Sequence, residues 1–260
     1  MGTDADERVT NRPRVVSRDD WLAARTELLA EEKAHTRARD ALNARRRELP
    51  MVRVDQDYRF EGPDGEVRLP DLFEGRDQLI VFHLMWRWDL DAGCPSCSFQ
   101  VDNVGHLAHL HAAGTTLAVV TRGPWASLAR FRARMGWGVP VYSSFASSFN
   151  YDFHVTLDEA VAPVEYNYRT RAEHERAGMP WHTRGEQPGT SVFLRDGDDV
   201  YHTYSTFARG GELLLTTFNY LDLTPSGRPY HVGEVPHHDR YGGDRSETNI
   251  AFLRQHPPAS

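Results

Sequence analysis

Apolar runs of strand length alternate with amphipathic segments through the middle of the chain, and this alternation sets the first expectations. Leu79 to Met85 is a near-continuous apolar stretch carrying His83, the pattern of a central strand buried on both faces. Thr115 to Thr121 reads as a second buried strand. Between them a helix is expected to start at Cys94 and run to about Ala113, with Gly114 as its stop. Pro124 suits the first turn of a further helix through Met135, with Gly136 at its end. Strand, helix, strand, helix in that order implies a parallel pair joined by a right-handed crossover. Ser191 to Leu194, the turn residues Arg195 to Asp198, and Val200 to Tyr204 predict an antiparallel hairpin, followed by a closing helix over Glu212–Leu223.

The flanks are less regular. Residues 1–16 read as a flexible arm, and Ser17 as the N-cap of a long helix ended by Pro50, with Asp19 and Asp20 in its first turn. The apolar positions of this 17–49 extension thin out after Leu29, which suits a solvated helix or the arm of a homodimer. Val52 to Phe60, the turn Gly62-Pro63-Asp64-Gly65 and Val67 to Leu69 predict a hairpin leading into the main domain. Val139 to Tyr142 opens an irregular stretch, residues 151–189 show no periodicity and read as an excursion over the domain, and the tail 228–260 reads as irregular. The domain proper is therefore expected over residues 50–227.

Composition narrows the function. The chain has 260 residues, 37 acidic against 30 basic, and a net charge of -7, which weighs against a partner recognised through its phosphate backbone. No apolar run approaches a membrane span and the first residues lack a signal-peptide pattern, so a cytoplasmic location without nucleic-acid or membrane partners is expected. Cysteines there stay reduced, so a lone Cys-x-x-Cys points to redox or metal chemistry rather than a structural disulfide.

The chain's two cysteines form that motif, Cys94-Pro95-Ser96-Cys97, at a strand-to-helix junction. At this spacing the sulfurs can meet, and the helix N-terminus favours a thiolate at the first, making Cys94 the more exposed nucleophile and Cys97 the resolving thiol. The same pair suits a soft ion, copper first and zinc second, if a histidine completes the site; His83 and His202 are the candidates. His106, His109, His111 and the His237-His238-Asp239 segment are weaker candidates, read as solvated or structural. Trp86, Trp88 and Trp125, with Phe99, Trp137 and Tyr151, could line a cleft for a planar molecule. No phosphate-cradling glycine motif or serine nucleophile elbow is present.

The order of elements around this motif is that of thioredoxin-like proteins: an α/β fold with a mixed sheet flanked by helices, here with a long N-terminal helix and an irregular C-terminal tail. More closely, the chain resembles the bacterial thioredoxin-like family catalogued as domain of unknown function 899, often labelled predicted dithiol-disulfide oxidoreductases. The resemblance is carried by Arg45 to Pro50, Val52-Arg53-Val54, Gly62-Pro63-Asp64-Gly65, Gly93 to Phe99, Arg134-Met135-Gly136-Trp137, Phe149 to Phe153, Tyr201 to Gly210 and Tyr220 to Pro225, across residues 20–242. Thioredoxins place a substrate-docking proline just before the hairpin; here Gly189-Thr190 stand there and Pro188 comes early, which weighs against general protein-disulfide reduction.

These readings converge on an oxidoreductase acting through Cys94 and Cys97 on a small-molecule or thiol substrate, with Trp86, Trp88, Trp125 and Thr190 as substrate-binding candidates. The alternatives are a copper-dependent oxidase or oxygenase of a small aromatic metabolite, with Cys94, Cys97, His83 and His202 as ligands, or a non-catalytic copper-binding protein.

Overall fold

In the computed structural model, which describes residues 12–243 and 246–255, Ser17 caps α1 (Arg18–Arg47) by accepting a hydrogen bond from the Asp20 N–H at 3.1 Å. Most of the arm expected over residues 1–16 lies outside the described residues. Acidic Asp19 and Asp20 at one end of α1 and Arg45 to Arg47 at the other complement the helix dipole. The helix buries no side chain. The chain up to Pro50, with Phe218–Pro229, forms one compact unit; Met51–Thr217, with Tyr230 onward, forms the other.

The second unit is built on an eight-stranded mixed sheet. After β1 (Val52–Arg53), the hairpin β2 (Arg59–Gly62) and β3 (Gly65–Arg68) turns at Pro63-Asp64 as predicted. The apolar run forms β4 (Gln78–His83), followed by a small ribbon, β5 (Trp86–Arg87) and β6 (Ala92–Gly93), that delivers the chain to α2 (Pro95–Asp102). The single helix expected to Ala113 is two: α2 ends at Asn103, and α3 (Ala108–Ala112) follows a break containing Gly105. The Asn103 side chain bonds back to the Phe99 carbonyl at 2.6 Å, the local competition that makes asparagine a poor helix-interior residue.

Next come β7 (Thr115–Thr121) and α4 (Trp125–Met135), the latter closed by Gly136 at φ 63°, a left-handed conformation that glycine takes without penalty. Val141 to Ser143, expected to be irregular, forms β8 parallel to β7. The unassigned stretch resolves into short pieces: α5 (Phe149–Asp152), β9 (Thr156–Leu157), β10 (Glu165–Tyr166), β11 (Arg169–Thr170), α6 (Arg171–Arg176) and β12 (Gly185–Glu186). Two-residue strands carry no hydrophobic period, which is why pattern could not find them. The hairpin β13 (Gly189–Asp196) and β14 (Asp199–Phe207) completes a sheet of order β1-β14-β13-β4-β7-β8-β2-β3, with β4, β7 and β8 parallel. The closing helix is broken, a 3-10 segment Ala208–Leu214 preceding α7 (Thr216–Leu221). Beyond Arg228 the chain is mostly irregular, with short 3-10 turns and one helix, α8 (Asn249–Gln255). This is the thioredoxin-like architecture, with helices on a mixed sheet.

Alternation along β4 divides the interior. Leu79 and Val81 pack with Phe149, Phe153 and Phe193 on one face, whereas Phe82 and Leu84 pack with Trp86, Cys94, Cys97 and Leu128 on the other. The helix-starting cysteines thus belong to one specific face. The Trp86 ring closes this core over Gly123, where a Cβ would lie 2.4 Å from the indole. Gly123→Ala should therefore destabilise the domain by about 1–3 kcal/mol through overpacking, read as a lower midpoint in thermal or denaturant unfolding; an unchanged midpoint would contradict the packing described.

Candidate functional site

Cys94 sits where the ribbon meets α2. Its N–H donates to the Met85 carbonyl at 2.9 Å, and its carbonyl receives the Ser98 N–H at 2.8 Å and the Ser98 hydroxyl at 2.9 Å, so the backbone on both sides of the sulfur is fixed. Pro95 holds the first helical position, where its missing N–H costs nothing. Both cysteines are free thiols and both are buried, Cys94 at 0% and Cys97 at 3% exposure. Cys94 is thus not the more exposed of the two, as the motif suggested. It is instead the one of the two that borders the cleft.

Burial by itself would raise the Cys94 pKa. The Cys97 thiol, the Cys97 N–H, the Asn249 amide and the Ser96 N–H outweigh it and bring the thiol down to about 7. The helix N–H groups act without closing a capping bond, whereas Asn249 Nδ2 stands 3.0 Å from the sulfur. Cys97 is pushed the opposite way, well above its ordinary range, by burial, by donating to Cys94, by the Cys94 charge and by Glu186. One sulfur is therefore disposed to be a thiolate near neutrality and its partner to keep its proton. Behind the pair, buried His237 donates from Nε2 to the Gly93 carbonyl at 2.8 Å and fixes the residue preceding Cys94.

Cys94 lies in the lining of a cleft of about 740 Å³, within the roughly 300–1,000 Å³ typical of small-ligand sites. Its walls come from the strand end and ribbon (Met85, Trp86, Arg87, Trp88), from Arg122 after β7, from Tyr151, from the excursion (Thr156, Trp181, Glu186) and from α8 (Asn249, Phe252). Arg87 is neutralised by a fork to Asp89 at 2.8 and 2.6 Å and lies 3.9 Å from the centre of the Phe252 ring. Glu186 is pushed up to about 7 by burial, against the Thr156 hydroxyl at 3.0 Å and the Arg122 charge. Arg122 NH1 approaches the Glu186 carboxylate only to 3.6 Å. Three nitrogens of cleft-lining residues are buried without a hydrogen-bond partner: Trp86 Nε1, Arg122 Nε and His182 Nδ1.

The structure sorts the residues singled out from the sequence. Trp86 and Trp88 line the cleft with Cys94; Trp125 packs into the cysteine-side core at the start of α4, and Thr190 is buried in β13 opposite Phe82, neither of them at the cleft wall. The histidines of the soft-metal reading do not join the cysteines. His83 shares the parity of Leu79 and Val81, on the opposite face of β4, where its Nε2 is 2.9 Å from Ser191 Oγ and its ring lies against Phe149 and Phe153. Burial, with His202 nearby, lowers its pKa to about 3. His202 is on that same side, 2.8 Å from Ser205 Oγ and edge-on to Phe153. Among the described residues no three His, Cys, Asp or Glu side chains come together as a ligand set. No helix among them is long and apolar enough to cross a membrane.

Sequence reasoning missed Arg87, Arg122, Glu186 and Asn249. Arg122 had a usable signal, since it directly follows a predicted parallel strand, where α/β sites gather. Asn249 had none, lying 155 residues from Cys94.

The sequence matches the family described as "Bacterial protein of unknown function (DUF899)" over residues 10–241. Similar solved structures include a cysteine-to-serine mutant of Xanthomonas campestris peroxiredoxin Q, at 14% identity and TM-score 0.43, covering 66% of this chain and 98% of that one. Mycobacterium tuberculosis peroxidoxin BcpB aligns at 15% identity and TM-score 0.40, covering 66% and 97%. An Arenicola marina peroxiredoxin 6 mutant aligns at 12% identity and TM-score 0.42, covering 66% and 74%. No curated protein matches the chain in sequence.

The thiol electrostatics are directly measurable. Ultraviolet thiolate absorbance of the reduced protein should show one transition with a midpoint near 7, and Asn249→Ala should move it upward by removing a donor to the sulfur. A single transition near the ordinary 9.0, or a midpoint indifferent to Asn249, would contradict this site.

Proposed function

The chain belongs to the bacterial family of unknown function DUF899, and from that premise we propose that it is a dithiol oxidoreductase of small molecules, with Cys94 as nucleophile and Cys97 as resolving thiol. The observation that carries this reading is the asymmetric pair at the cleft: a sulfur favoured as thiolate beside a buried thiol one helical turn on. The Cys94 thiolate attacks one sulfur of a bound disulfide, forming a mixed disulfide and releasing the other half as a thiolate. Cys97 then loses its proton and attacks the Cys94 sulfur, closing the Cys94–Cys97 disulfide and expelling the second half. Two electrons pass from the dithiol to the substrate, and an external dithiol restores the reduced pair.

Substrate size follows from the enclosure. Cys94 is reached through the cleft and has no exposed surface of its own, which favours a compact ligand over a folded protein. The departure from the thioredoxin docking proline at Gly189-Thr190 points the same way.

The chemistry is tested with a small disulfide recycled by dithiothreitol. Cys94→Ser should reduce turnover to the uncatalysed rate, and pre-reduced Cys97→Ser given the disulfide without dithiothreitol should accumulate a stoichiometric mixed disulfide on Cys94 in the mass spectrum. Full activity in Cys94→Ser, or an adduct on Cys97 in the wild type, would overturn the assignment.

A further inference from the structure

We propose that the cleft above Cys94 recognises an aromatic carboxylate, with the Arg122 guanidinium and the Trp86 indole N–H binding the carboxylate and the aromatic walls holding the ring. The inference deepens the dithiol reading, on which it rests for the fate of the ligand.

Buried donors are paired in folded proteins with few exceptions, and an unpaired one facing a cavity marks a missing acceptor. Trp86 is 2% exposed and its indole N–H has no partner; Arg122 Nε is also buried and unpartnered. Both residues line the same cleft, and the Trp86 ring lies directly on Gly123, next in sequence to Arg122, so the two residues are neighbours in the cleft lining. Arg87, also in the cleft lining, is already forked by Asp89. Arg122 is not: Glu186 stands at 3.6 Å from NH1, and the buried Nε has no hydrogen-bond partner among the described residues. Burial disfavours the Glu186 charge, so the guanidinium is incompletely neutralised. A planar guanidinium with one free edge suits a planar acceptor of one negative charge, which is a carboxylate.

The ring follows from the same residues. Tyr151 and Trp88 stack on the Arg122 guanidinium at 4.6 and 6.0 Å and continue as cleft wall. Trp88 and Trp181 are half exposed, large apolar surfaces that a flat ring would cover.

Benzoate and its neutral isostere benzamide test recognition apart from redox chemistry. Titrated calorimetrically into Cys94→Ser protein, benzoate should bind and benzamide should bind about tenfold or more weakly. Arg122→Gln and Arg122→Lys should each lose that preference, and Trp86→Phe should reduce it, with unfolding midpoints reporting that the variants are folded. A second readout keeps both cysteines: the ratio of the reaction rate of an aromatic disulfide bearing carboxylates to that of neutral dithiodipyridine should fall about tenfold or more in Arg122→Gln. Equal binding of benzoate and benzamide, or failure of benzoate to bind the folded Cys94→Ser protein, would overturn the carboxylate proposal and leave the dithiol reading standing. Binding with the stated preference but no reaction with either disulfide would remove the dithiol reading alone.

Discussion

A buried sulfur is a poor place for negative charge unless donors reach it, and the site of this protein is organised around that constraint at Cys94. Desolvation works against the thiolate; the Cys97 thiol and N–H, the Asn249 amide and the start of α2 reverse the balance. Each donor is placed by a different level of structure. The helix N–H groups come from local sequence, with Pro95 opening α2; the Cys97 thiol comes from the three-residue spacing; the Asn249 amide comes from a helix far along the chain. Remove the register that ties Cys94 N–H to the Met85 carbonyl and all three lose their common target.

The cleft draws its lining from regular and irregular parts of the fold alike. The β5–β6 ribbon holds Trp86 and delivers Cys94, and β7 of the main sheet ends just before Arg122, while the 151–189 excursion and the C-terminal helix supply Glu186, Trp181, Asn249 and Phe252. The cross-strand pair of Thr156 with Glu186 gives the excursion its hold on the carboxyl group, since the Thr156 hydroxyl both neighbours it in register and donates to it. Opposite the cysteines, the second face of β4 is sealed by His83, Phe149, Phe153 and Phe193, and hydrogen bonds between His83 and Ser191, Ser191 and Ser205, and Ser205 and His202 link the polar side chains that stand there, with His83 Nδ1 left unpartnered among the described residues.

What was legible in the sequence follows the strength of each local signal. β4, β7, α4 and the β13–β14 hairpin declare themselves through unbroken apolar runs, Pro124, Gly136 and the Asp196-Gly197 turn. The break after α2 was hidden because Asn103 and Gly105 are individually tolerable in a helix, and only the return bond from Asn103 to the Phe99 carbonyl ends it. The cysteine motif led to the candidate site, but its histidine companions ignore the two-residue alternation of β4, which puts His83 on the far face. Asn249 and Glu186 illustrate the opposite limit: ordinary residues in unpatterned segments, given their roles only by long-range closure.

The central claim is that Cys94 and Cys97 work as one two-electron couple, and equilibration of the intact protein in graded glutathione buffers tests it most directly. Mass spectrometry and thiol counting should show both free thiols disappearing together into an intramolecular Cys94–Cys97 disulfide, reversibly and as a single two-electron transition. Thiols that stay reduced across the whole range, or that oxidise independently into separate glutathione adducts, would contradict the account.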